Sequence, residues 1–141
     1  MGKLGPFEEN TIVVGDCLEV MRQMPDGCVD LVISDPPFNL GKNYGEGTTD
    51  NLSEDQYLKQ QKEWLREELR LLRPGGTLIL HQLPRWAMLL GAWLYDRATF
   101  RSWIAWRRTS WGFGNQERLR PVHYAFLYYT KPGGDITLNY Y

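Results

Sequence analysis

From residue 11 onward, apolar positions fall into short β-like runs that alternate with helical stripes. "TIVV" (11–14) is a β-branched run closed by Gly15-Asp16 and is predicted as a strand. Asp16 stands where an N-cap belongs, ahead of a short helix "CLEVMRQM" with Leu18 and Met21 facing inward. After the turn Pro25-Asp26-Gly27 comes "VDLVIS" (29–34), whose nearly continuous apolar character predicts a strand covered on both faces. Ser53 and Gln56 have the spacing of a capping box for a helix running to about Arg73, with Leu58, Leu65, Leu69 and Leu72 along one stripe. Pro74-Gly75-Gly76 is expected to stop that helix. "TLILH" reads as the next strand, and the helix "RWAMLLGAWLYDR" begins after Pro84. Two aromatic strands follow, "FRSWIAW" and "HYAFLYYT", split by the polar segment 107–121. Pro132-Gly133-Gly134 then turns the chain into "DITLNYY".

This order of elements predicts an α/β fold with right-handed crossovers and a mostly parallel sheet. Ligands of such sheets bind beyond the carboxyl ends of the strands. Asp16 and Asp35 both stand there. Asp35 opens "DPPF", and two consecutive prolines hold the backbone extended and rigid. The Asp35 carboxylate, the Pro36 carbonyl and the Phe38 ring are thereby presented in one set geometry. Two acceptors beside an aromatic face suit a planar group with an exocyclic amine. An isolated Asp-Pro-Pro-Phe also serves as a plain turn with its Phe in the core, so these four residues alone leave both readings open.

Size and composition narrow the classes. A chain of 141 residues is one domain at most, spanning 1–141, and 43% hydrophobic against 23% charged residues excludes disorder. The net charge of -1 hides an asymmetry: residues 1–83 carry 8 Lys/Arg and 14 Asp/Glu, whereas 84–141 carry 8 and 3. A polyanion partner is therefore sought on the second half. Cys17 and Cys28 form no Cys-x-x-Cys and have no His nearby, so no metal site or disulfide is expected, and both thiols are read as reduced and partly buried. The start is polar, and no apolar run approaches the roughly 20 residues of a membrane span, so a cytoplasmic protein is expected.

"SDPPFNLGKNYG" (34–45) resembles the Asn/Asp/Ser-Pro-Pro-Tyr/Phe motif of DNA amino-methyltransferases, which methylate adenine N6 or cytosine N4. "GDCLEVMRQMPDGCVDLVISDPPFNLG" (15–41) resembles the opening of the permuted, or beta, group of that family. "WLREELRLLRPGGTLILH" (64–81) is similar to the helix and strand that follow, and "WIAWRR" with "RPVHYAFLYYTK" to the later strand pair. The resemblance implies a doubly wound, Rossmann-like sheet that binds S-adenosylmethionine and acts on double-stranded DNA. It implies that Asp35 and the Pro36 carbonyl accept hydrogen bonds from the target amine while Phe38 stacks on a base flipped from the duplex. It implies cofactor contacts at Asp16, Cys17 and Asp35, beside the N-cap role of Asp16. Pro37 and Asn39 are read as shaping the loop.

Other residues stay open or bland. His81 ends a strand near the site and is read as merely hydrogen-bonded. The stretch 41–52 is expected to order over the base or the cofactor. For Trp103, Trp106 and Trp111 core packing is expected ahead of stacking on nucleic acid, while Arg107, Arg108, Arg118 and Arg120 suit phosphate contacts and a solvated loop equally. His123-Tyr124 stands where the family often has His-Glu, and no role is assigned to it.

One family feature is missing. The Phe-x-Gly-x-Gly turn for the methionine end of the cofactor has no counterpart, since neither Gly45-Glu46-Gly47 nor Gly112-Phe113-Gly114 links a strand to a helix. Protein-glutamine and ribosomal-RNA methyltransferases carry that turn before their Asn-Pro-Pro-Tyr-like motif, yet the 34 residues ahead of Asp35 hold nothing suitable. The permuted DNA group remains, in which the turn comes toward the C-terminus. Its two strands lie, in the family's sheet, between the strand ending at Asp16 and the one ending at Asp35. An incomplete sheet is thus expected, with a gap, direct pairing across it, or filling by a complementing chain or second copy. The expected function is the catalytic portion of a DNA adenine-N6 methyltransferase, Asp at position 35 favouring adenine. Cytosine N4 is the alternative, as is an inactive remnant that binds DNA or a partner chain.

Overall fold

The Asp16 carboxylate starts the first helix as its position predicts: Oδ1 accepts from the backbone N–H of Leu18 at 2.9 Å and of Glu19 at 3.1 Å. The computed structural model describes residues 2–45, 50–107 and 122–138. Trp111, Arg108, Arg118, Arg120, most of segment 107–121, part of the 41–52 loop and both candidate Gly-x-Gly stretches in part or whole lie outside the described residues.

A small ribbon pairs β1 (Lys3–Leu4) with β2 (Phe7–Glu8), and α1 (Cys17–Arg22) follows. Next come β3 (Val29–Ser34), α2 (Glu54–Leu71), β4 (Leu72–Gln82), α3 (Pro84–Tyr95), β5 (Thr99–Arg107) and β6 (His123–Thr130). The capping box forms, Ser53 accepting from the Gln56 N–H while the Gln56 side chain accepts from that of Ser53. Pro84 occupies the first turn of α3, where its missing N–H has no partner to lose.

The main sheet runs β3-β4-β6-β5, with β3 and β4 parallel and β6 antiparallel to both its neighbours. The expected mostly parallel sheet is therefore mixed. The β4–α3–β5 crossover skips one place, and β6 returns through that place in the opposite direction. Leu78 and Leu80 of β4 and Ala125, Leu127 and Tyr129 of β6 pack against Trp86, Ala87, Leu90 and Leu94 of α3, all buried. Each of these leucines contributes about 1.5–3 kcal/mol relative to exposure.

Several expectations are corrected. Residues 11–14 form no strand, and Ile12 and Val14 are 94% and 95% exposed. β3 is covered on one face only, leaving Leu31 and Ile33 exposed. Among the described residues no strand pairs with the outer edge of β3, and 11–14 leaves that edge open. Of the three outcomes expected for the incomplete sheet, direct pairing of 11–14 with β3 is absent among the described residues. The second helix ends at Leu71, and Leu72 turns directly into β4 with φ -64° and ψ 133°. Pro74-Gly75-Gly76 lies inside that strand, at a register shift against β3, rather than in a separate loop. Gly75 has φ +79°, and a Cβ there would sit 2.1 Å from the Asp135 carbonyl oxygen. Of the predicted leucine row, Leu65 and Leu72 are buried in the core and Leu58 and Leu69 pack against it; the fully inward stripe of α2 also takes in Tyr57, Gln61, Glu68 and Leu71. Trp103 and Trp106 are exposed because β5 is an edge strand.

Leu80→Ala removes a fully buried side chain where β4 meets β6. It is expected to cost about 2–5 kcal/mol in urea unfolding, at unchanged m-value.

Candidate active site

Ser34 ends β3, and Asp35-Pro36-Pro37-Phe38 continues from it with no regular secondary structure of its own. The turn is clamped from behind. Tyr57 Oη donates to the Pro37 carbonyl at 2.7 Å, and Trp86 Nε1 donates to the Phe38 carbonyl at 2.9 Å. Gln82, fully buried, donates to Tyr57 Oη at 2.8 Å. Burial pushes the Tyr57 phenol up to about 12, so it remains a donor at any physiological pH. Among the described residues none donates to the Pro36 carbonyl.

The chain leaves the turn through Asn39, a non-glycine residue at φ +58°. That conformation is held on both sides: Asn39 Nδ2 donates to the Leu52 carbonyl at 2.8 Å, and Leu52 N–H donates to Asn39 Oδ1 at 2.7 Å. The buried Asp50 carboxylate accepts from the backbone N–H of Asn39, Leu40 and Lys42 at 2.8, 3.1 and 2.7 Å. The described part of the 41–52 stretch is thus tied to the turn itself.

Asp35 points outward, with its side chain 69% exposed. Its Oδ1 lies 2.8 Å from His81 Nδ1. His81 is stacked on Phe126 at 4.5 Å and 12° between planes, and meets Phe38 and Tyr124 edge-on, each at 5.1 Å. Trp106 packs 5.6 Å from Phe126 on the same side. An open cleft of about 320 Å³ is lined by Asp35, Pro36, Pro37, Phe38, Lys42, Tyr44, His81 and Tyr124. Phe38 therefore faces a cleft and not the core.

A second cleft, of about 530 Å³, lies on the other side of the turn. Its walls are Cys17, Met21 and Met24 from the α1 region, the length of β3, and Trp64 and Glu68 of α2. Asp35, Pro36 and Pro37 line both clefts. Cys17, exposed at the start of α1, reaches the second one, and Cys28 is half-buried. Asp16 lines neither; its placed contacts are the two capping bonds. Glu68 is buried there, with Oε1 accepting from Ser34 Oγ at 2.7 Å and Oε2 without a described partner. Burial pushes its carboxyl up despite the Ser34 hydrogen bond. Among the described residues no group of three His, Cys, Asp or Glu could hold a metal ion. Nor is any described helix long and apolar enough to cross a membrane.

Sequence reasoning missed the clamp. Tyr57 and Gln82 carry no motif, and Trp86 looks like an ordinary core aromatic. The one available signal was polar character at core positions: Gln61 and Glu68 interrupt the apolar stripe of α2, and Gln82 ends an apolar strand.

Two outcomes follow. Glu68→Gln removes a carboxyl whose pKa is higher folded than unfolded, a stabilisation complete at acid pH and lost as pH rises through the folded value. Thermal melts should show Glu68→Gln raising Tm at pH 8 and changing little at pH 4. Asp50→Ala strips three N–H groups of their acceptor and is expected to cost at least about 2 kcal/mol in chemical unfolding.

Comparison with known proteins agrees with this geometry. Residues 29–140 match the model of the DNA methylase family that comprises N6 and N4 methyltransferases. The type II methyltransferase M.BamHI of Bacillus amyloliquefaciens is 42% identical over 125 residues, which are 89% of this chain and 29% of that protein. M.HpaI of Haemophilus parainfluenzae is 32% identical over 133 residues, 93% of this chain and 42% of that one. The chain thus spans less than half the length of these relatives. Among solved structures, a Thermus thermophilus protein described as a DNA modification methylase, complexed with S-adenosyl-L-methionine, superposes with TM-score 0.63 at 22% identity, over 89% of this chain and 57% of that one. PvuII DNA methyltransferase, cytosine-N4-specific, gives TM-score 0.64 at 16% identity, over 86% and 50%. The fold is the Rossmann-like α/β sheet of S-adenosylmethionine-dependent methyltransferases, present in part, and the chain belongs to the N6/N4 DNA methylase family.

Proposed function

We propose that this chain is the catalytic portion of a site-specific DNA methyltransferase acting on the exocyclic amine of a flipped base, adenine N6 favoured. One observation carries the reading: Asp35-Pro36-Pro37 is a shared wall between two open clefts, with Phe38 facing one of them. The target amine of adenine or cytosine is a poor nucleophile because its lone pair is delocalised into the ring. Asp35 and the Pro36 carbonyl accept hydrogen bonds from its two N–H groups, which favours a pyramidal nitrogen whose lone pair is localised and no longer shared with the ring. Phe38 stacks on the base and fixes that plane. The gain comes from positioning and from acceptors that need no reorganisation. As the nitrogen gains a fourth bond, its surplus proton passes to the exposed Asp35 carboxylate and on to water.

S-adenosylmethionine, when bound, supplies an electrophilic methyl group on a sulfonium. The second cleft fits such a molecule in part: its walls are mostly apolar, and Asp35 and Glu68 supply acidic groups near a cationic centre. Cys17 and Asp35 would hold it there, with Asp16 just beyond Cys17. No described residue supplies a Gly-rich turn between a strand and a helix. This chain therefore contributes one wall of the site, and a complementing segment, chain or second copy placed along the open edge of β3 contributes the other. Double-stranded DNA in the cytoplasm is the substrate. Lys42, at the cleft that takes the base, suits a phosphate contact, and so does Arg107 at the exposed end of β5. Transfer to cytosine N4 is the second reading, supported by the fold shared with a cytosine-N4-specific enzyme. A silent DNA- or partner-binding remnant is the third.

Transfer of labelled methyl groups to duplex DNA, by the full-length protein or by this chain with its complementing half, tests the proposal. Asp35→Ala should lower kcat by about 10²–10³-fold. N6-methyladenine in the hydrolysed product is expected; N4-methylcytosine would select the second reading, and no transfer the third. The 141-residue chain alone is expected to bind S-adenosylmethionine weakly or not at all, and micromolar affinity by calorimetric titration would contradict that.

A further inference from the structure

Asp35 is well exposed, and an exposed aspartate samples several rotamers unless a partner holds it. One side chain restrains it. Among the described residues, His81 alone makes a side-chain hydrogen bond to Asp35, 2.8 Å between Nδ1 and Oδ1. His81 is itself unable to turn. It sits opposite Phe126 in the β4–β6 ladder, its ring stacks on that residue, and the edges of Phe38 and Tyr124 close the sides.

The proton's place follows from the same contacts. A carboxylate faces Nδ1, so Nδ1 must carry hydrogen; otherwise two acceptors would oppose each other at 2.8 Å. Nε2 is buried with no described partner, so a second proton there would be an unpaired buried donor. The neutral ring with its hydrogen on Nδ1 satisfies both conditions.

We propose that His81 is a positioning residue for methyl transfer: its Nδ1–H holds Asp35 Oδ1 and so directs Oδ2 into the cleft beside the Pro36 carbonyl. This rests on the function proposed above. The Phe38 edge against the same imidazole couples the stacking platform to the acceptor, so one ring sets both contacts to the base. The His81 side chain is nearly buried and contributes no surface that DNA must reach.

Two variants separate hydrogen bonding from packing. His81→Phe keeps a ring to stack on Phe126 and removes the donor. His81→Asn loses the ring and keeps an N–H near the place of Nδ1. In the full-length or complemented enzyme, His81→Phe should lower kcat about 10–100-fold while KM for DNA and for S-adenosylmethionine stays within about threefold, and His81→Asn should restore most of the rate. Wild-type kcat in His81→Phe, or equal loss in both variants, would overturn the proposal. Should either variant fail to fold, ¹⁵N spectra of the wild-type imidazole decide: the Nδ1–H tautomer is expected, and the Nε2–H tautomer would overturn it. Full activity in Asp35→Ala sinks the functional reading itself. Loss in Asp35→Ala with no loss in His81→Phe sinks only the role of His81.

Discussion

Two hydrogen bonds to main-chain carbonyls, from Tyr57 to Pro37 and from Trp86 to Phe38, fix the part of this protein where chemistry can happen. Proline removes two N–H donors from the turn, so its carbonyls are the groups left to be satisfied. The core satisfies the two that face it. The Asp35 carboxylate stands outside that grip, exposed to solvent, and Pro36 lines both clefts. A turn gripped on one side and open on the other is how a rigid acceptor pair is presented to a ligand without being spent on the fold. Gln82 extends the grip into the sheet by bonding Tyr57, so α2, β4 and α3 all converge behind four residues.

The same sheet is unfinished where a cofactor would lie. β3 presents an unpaired edge, with Leu31 and Ile33 exposed, and the β-branched run 11–14 lies without a ladder. Open apolar edges invite another strand. The relatives are more than twice as long as this chain, and that edge is where further strands of such a sheet could add.

Much of this was legible from residues alone. Caps, proline turns and aromatic strand pairs are local signals, and Asp16, the Ser53–Gln56 box, Pro84 and the 123–130 strand all fell where local chemistry put them. The errors arose where tertiary supply decides. An apolar β-branched run becomes a strand only when it pairs, and 11–14 does not take up the open edge of β3. Trp103 and Trp106 were assigned to a core that an edge strand cannot provide. On α2 the leucine spacing located the core side, but it did not reveal that Tyr57 and Gln61 lie buried beside it, where Gln82 and the proline turn offer polar partners. The link between His81 and Asp35, 46 residues apart in sequence, had no local signature at all.

On the proposed function, the acceptor slot depends on a rigid proline pair and not merely on the presence of Asp35 and Phe38. Replacing Pro36 and Pro37 together by alanine, in the full-length or complemented enzyme, tests it most directly. Asp35, Phe38 and every partner behind the turn remain in that variant. The account predicts an unchanged KM for DNA and a kcat lowered about 100-fold, the cost of an acceptor displaced by roughly an ångström. Turnover equal to wild type in a folded double-alanine variant would contradict it.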